Sequence, residues 1–114
     1  MKDNLLILIK EKQTIAYLEK HIQNFPRTEK MLRDNIKQEL YTLLKNTYRA
    51  NIINNIDKFV LKQEILVNIK MIDFYLTEAF YKKLISEKMY KKLGEYFLEI
   101  FILVRAWIKS EEKK

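Results

Sequence analysis

Hydrophobic side chains recur at spacings of three, four and seven along four stretches of the chain, the pattern of helices with one apolar face. In the first, about residues 4–23, Leu8, Ile15 and Ile22 fall seven apart, with Leu18 and Phe25 offset by three. Proline disfavours helical geometry in the residue before it, so Phe25-Pro26 marks the stop. Thr28 then stands where an N-cap belongs, and Glu29 suits the positive end of the next helix.

The second stretch, about 29–52, carries Leu32, Ile36, Leu40, Leu43, Thr47 and Ala50. Asn54-Asn55 suits a turn, and Asp57 is placed to cap the helix after it. The third, about 58–83, has two overlapping apolar rows: Leu61, Ile65, Ile72, Leu76, Ala79 and Phe59, Leu66, Ile69, Leu76, Phe80. Ser86 is the next expected cap, with Glu87 in the first turn. The fourth, about 87–109, shows Tyr90, Leu93, Phe97, Ile100, Val104 and Trp107, and Ser110 to Lys114 are expected to fray. Gly94 lies inside this helix at a cost of roughly 1 kcal/mol against alanine, which close approach of a neighbouring helix would explain.

Helices of 20–25 residues span roughly 30–37 Å at 1.5 Å per residue. Short connections make neighbours antiparallel. The expected fold is all-α: one up-down-up-down four-helix bundle over residues 1–114.

Composition narrows the alternatives. One glycine and one proline in 114 residues leave almost nothing for the frequent turns of a sandwich or barrel. A hydrophobic fraction of 48% excludes a disordered chain. The absence of cysteine removes disulfides, thiol catalysis and the usual zinc clusters, and fits a reducing, cytoplasmic setting. The richest apolar stretch, Tyr96 to Ile108, has eleven apolar residues in thirteen, short of the ~20 that a bilayer span needs. It is nonetheless greasier than one bundle face requires. Phe101, Ile102, Leu103, Trp107 and Ile108 are therefore expected to serve contacts with another copy of the chain as well as the core.

The net charge is +7, split as +3 over residues 1–57 and +4 over 58–114, so it belongs to the folded body. Such a balance favours an anionic partner, nucleic acid first. Lys82, Lys83, Lys88, Lys91 and Lys92 cluster at the junction of helices three and four, interleaved with Tyr81 and Tyr90. Lys45 and Arg49 on helix two, with Lys62 and Lys70 on helix three, suggest a second strip along the side. Lysines and arginines so placed neutralise phosphates without reading sequence.

Catalysis has little to stand on. The lone histidine, His21, sits among polar neighbours and reads as a surface residue. No phosphate-cradling glycine loop, nucleophile triad or di-metal Glu-x-x-His pair is present. The expectation is a protein that is not an enzyme, with no metal and no cofactor. Asp73 interrupts an apolar row and is expected to pair with Lys70, Thr77 or a partner chain.

Phe25-Pro26-Arg27 with Lys30, the run Ala79-Phe80-Tyr81-Lys82-Lys83-Leu84-Ile85-Ser86, and Trp107-Ile108-Lys109-Ser110 resemble, in order and spacing, the accessory variability determinant family of diversity-generating retroelements. That family is related to four-helix-bundle proteins of ribosomal RNA intervening sequences. The resemblance implies a basic homopentamer that binds RNA or DNA and the element's reverse transcriptase, supporting mutagenic cDNA synthesis. Asp73 and Thr77 stand where it would place arginines, and Val104-Arg105-Ala106 replaces a glycine pair. The alternative is a protein–protein scaffold of the intervening-sequence type without a nucleic-acid role.

Overall fold

The structure, a computed structural model, describes residues 2–53 and 57–112, with side chains placed over 5–53 and 58–111. Four helices account for nearly all of it: α1 (Lys2–Ile22), α2 (Lys30–Ile52), α3 (Asp57–Tyr81) and α4 (Glu87–Glu112). There is no strand among the described residues. α1 packs on α2 and α4, and α3 packs on the same two helices, which makes a four-cornered bundle of 47 × 23 × 19 Å.

The core follows the apolar rows. All six expected positions of α2 are buried, as are Ile65, Ile69, Ile72, Leu76 and Ala79 of α3. On α4, Leu93, Phe97, Ile100, Val104 and Trp107 are buried, and Tyr90 is half-buried. α1 differs by one position. Ile7 is fully buried and Leu8 only half, because the inward row runs Ile7, Glu11, Thr14, Leu18, Ile22, Phe25 and its two polar members hide it from a purely hydrophobic reading. Phe59 is exposed.

The helix ends follow local chemistry. At the first corner Phe25 is buried and its N–H donates to the Ile22 carbonyl at 3.0 Å. Thr28 does not cap α2: it lies inside a 3-10 turn, Arg27–Glu29, closed by Glu29 N–H donating to Pro26 O at 2.8 Å. Of the second break, Asn54 and Asn55 lie outside the described residues, as does the side chain of Asp57.

α3 stops at Tyr81, two residues earlier than its apolar pattern suggests, because Lys83 takes a left-handed backbone with φ 63°. Leu84 N–H donates to Ala79 O and Lys83 N–H to Phe80 O, each at 2.9 Å. This is the paired arrangement that ends helices, usually with glycine at the left-handed position. Ser86 caps α4 as expected, its Oγ accepting from Met89 N–H at 3.0 Å.

α4 continues through Glu112 instead of fraying at Ser110. Its last turn is held by Glu111, which accepts from Trp107 Nε1–H at 3.0 Å and meets Lys58 and Lys62 of α3. Gly94 is not a point of close approach: a Cβ built there would meet nothing within 4 Å.

Candidate nucleic-acid interface

The connection from α3 to α4 gathers the lysine cluster at one end of the bundle. The helix-ending turn projects Lys82 and Lys83, and the Ser86 cap starts a helix whose first two turns carry Lys88, Lys91 and Lys92. All five are exposed. Lys83 and Lys88 have no ion-pair partner among the described residues. Lys82 Nζ lies 2.9 Å from Glu29 and 3.9 Å from Glu78, and its hydrogen bond to Glu29 holds the ammonium above its usual titration range. Lys91 meets Glu87 at 3.3 Å, and Lys92 lies over the Tyr17 ring at 4.8 Å. Exposed contacts of this kind are weak and are screened by salt.

The interleaved tyrosines part company. Tyr81 is 77% exposed and offers an aromatic face at the lysine-bearing end. Tyr90 is half-buried, stacked on Phe80 at 4.6 Å, with its hydroxyl 2.7 Å from Thr77 Oγ1.

The side strip is shorter than its sequence suggests. Lys45 and Arg49 are exposed on α2 without an ion pair among the described residues. Lys70 is exposed and lies 4.9 Å from the centre of the Phe101 ring. Lys62 is removed from the set of exposed cations. It is 1% exposed, its Nζ sits 2.5 Å from Glu111 and 4.3 Å from the Trp107 ring centre, and it occupies the core row that continues through Ile65, Ile69 and Ile72. That placement is legible as spacing: Lys62 precedes Ile65 by three residues, the step that carries the row onward.

The apolar excess also lies elsewhere than the sequence suggests. Trp107 and Ile108 are buried within the bundle, Phe101 and Leu103 are half-buried against the same core, and only Ile102 of the five expected contact residues is exposed. α3 carries apolar residues on both faces. Val60, Val67, Phe74 and Tyr81, at intervals of seven, form an exposed row opposite its buried one.

Polar groups inside the bundle escape a reading based on hydrophobic spacing. Glu11 is 1% exposed, with Oε2 accepting from Thr47 Oγ1 at 2.8 Å and Oε1 buried without a hydrogen-bond partner. Burial pushes its carboxyl up to about 8, and the Thr47 bond only partly offsets this. Between α2 and α3, Asn46 Nδ2 donates to Asn68 Oδ1, and Asn68 Nδ2 donates to Glu39, both at 2.9 Å. Each of these residues sits beside or within an apolar row, which is the one signal the sequence offers for them.

His21 is half-buried on α1, its Nδ1–H donating to Tyr17 O at 2.7 Å. Asp73 is exposed and pairs with neither expected neighbour through its carboxylate: Lys70 turns to Phe101, and Thr77 donates to the Asp73 backbone carbonyl at 2.9 Å. No helix among the described residues is long and apolar enough to cross a membrane. Compared with protein-family models, curated proteins and solved structures, the chain matches none.

Proposed function

We propose that the chain is a non-enzymatic basic accessory protein that binds nucleic acid through the α3–α4 end of an antiparallel up-down-up-down bundle. Following the resemblance of its corner and C-terminal motifs, its setting would be a diversity-generating retroelement in the cytoplasm, as a homopentamer acting with a reverse transcriptase. The antiparallel order is supported by side-chain pairs whose numbers run in opposite directions on neighbouring helices. Glu11–Thr47 and Glu19–Tyr41 link α1 to α2, Asn46–Asn68 links α2 to α3 while Glu29–Lys82 joins the residue just before α2 to the one just after α3, and Lys62–Glu111 and Thr77–Tyr90 link α3 to α4.

The observation that carries the phosphate-binding reading is that Lys83 and Lys88 stand exposed at one bundle end without ion pairs among the described residues, with Lys82, Lys91, Lys92 and exposed Tyr81 nearby in the chain. Lys45, Arg49 and Lys70 extend it along the side. Phosphate neutralisation releases counterions, so affinity for a structured RNA should fall steeply as salt rises. A titration of RNA binding against salt is the test, and salt-independent or absent binding would rule the reading out.

The exposed Val60–Val67–Phe74–Tyr81 row favours a second reading, a protein–protein scaffold that self-associates along α3. A seven-residue period keeps an apolar row facing a partner helix along its length. Phe74→Glu should lower the molar mass seen by light scattering if this row is the subunit seam.

A further inference from the structure

The groove between α3 and α4 opens into a notch of about 310 Å³. Ile69 and Phe97 are buried beneath it, Phe101 and Leu98 add apolar wall, and Lys70 and Asp73 are exposed on its α3 side. Three features are unaccounted for by the subunit's own folding. Gly94 lines the notch from inside α4, yet its φ is not positive and no atom would touch a Cβ there. Neither backbone geometry nor internal packing calls for glycine at that position. Leu98, one turn further along, is left 58% exposed. Asp73 is the only acid lining the notch, and its carboxylate meets no cation among the described residues although Lys70 stands one turn away.

A space of this size is at the lower end for small-molecule sites and suits an apolar side chain delivered by a protein. A groove between two helices favours a helix as the element that delivers it, since its anchors recur on one face every three or four residues. We propose that the notch docks an amphipathic helix of a partner protein, which seats a leucine- or phenylalanine-sized side chain over Gly94 and places an arginine or lysine on Asp73. The site shares only Lys70 with the residues assigned to phosphates, so it stands or falls independently of the nucleic-acid reading.

Gly94 is the chain's only glycine, which gives its backbone amide a distinctive place in a ¹⁵N-correlated NMR spectrum. Two synthetic alanine-rich helical peptides serve as probes, identical except that the residue one turn from the leucine anchors is arginine in one and glutamate in the other. At near-physiological salt the arginine peptide should shift the Gly94 amide and bind at least tenfold more tightly than the glutamate peptide. The +7 charge of the chain alone would favour the glutamate peptide, so this preference reports the Asp73 contact. Gly94→Leu, which fills the notch, and Asp73→Lys should each weaken the arginine peptide at least tenfold with unchanged helical circular dichroism. Asp73→Asn, a milder change at an exposed position, should weaken it in the same direction. Equal binding of the two peptides, or shifts that bypass Gly94, would overturn the proposal. So would a Gly94 shift that grows with protein concentration alone, which would assign the notch to a second copy of the chain.

Discussion

Lys62 and Glu111 join the start of α3 to the last turn of α4 through a 2.5 Å contact, and the indole of Trp107 covers the same ammonium at 4.3 Å. The two partners are not equivalent. Lys62 is buried, whereas Glu111 is partly open to solvent and is also held by Lys58 at 3.1 Å. Glu111→Ala should therefore take a charged hydrogen-bond partner from a buried ammonium and cost about 1.5–3 kcal/mol in denaturant unfolding. Lys62→Met, which keeps the buried stem, should cost under about 1.5 kcal/mol and leave RNA affinity unchanged. Equal losses for the two variants would contradict this asymmetry.

The same contact sets an acid limit. Burial alone would raise the Glu111 carboxyl, but hydrogen bonds from Lys62 and Lys58 outweigh it and hold the group at about 2, below its ordinary 4.5. The unfolded chain takes up a proton near 4.5 while the folded chain stays ionised, so the contribution is complete above that pH and is lost as pH falls towards 2. The pH dependence of unfolding between 5 and 2 should flatten in Glu111→Ala.

Glu11 acts in the opposite sense. Its folded carboxyl keeps a proton up to about 8, whereas the unfolded group releases it near 4.5. Native chain thus binds more protons across that window, and this group lowers stability as pH rises through it, by about 1.4 kcal/mol per unit. Glu11→Gln keeps a hydrogen-bonding partner for Thr47 and removes the titration. It should be more stable than the parent by up to about 3 kcal/mol at pH 7, with the advantage shrinking towards pH 5. A difference that stays constant with pH would contradict the assignment.

Lys83 spends conformational energy where glycine would not. Its φ of 63° sits at the left-handed position of the turn that ends α3. Lys83→Gly should raise stability by about 1 kcal/mol in thermal or denaturant unfolding while weakening RNA binding. Unchanged or lower stability would show that the turn does not hold this geometry in solution.

Four helices and most of their inward residues were legible because the chain spaces its apolar side chains at helical intervals, and every expected core position of α2 is buried. What hydrophobic spacing could not convey was the polar occupancy of those same rows. Glu11, Asn46 and Lys62 sit inside because each is paired or, for Glu11, kept uncharged at neutral pH. Nor could local density of apolar residues separate α3 from α4. The run Tyr96–Ile108 is richer, but five of its members face the core, whereas the sparser Val60, Val67, Phe74 and Tyr81 share one outward face. The lysine cluster was legible as a group, and its partition into ion-paired, ring-stacked and unpaired members required the fold.

The nucleic-acid reading is tested most directly by the salt dependence of RNA affinity in the parent chain and in a Lys83→Ala, Lys88→Ala double variant. Affinity of the parent should fall linearly on a log–log scale as salt rises, and removing two phosphate contacts should reduce the magnitude of the slope by about 1.4–1.8. A slope near zero in the parent, or one identical in the variant, would contradict the account.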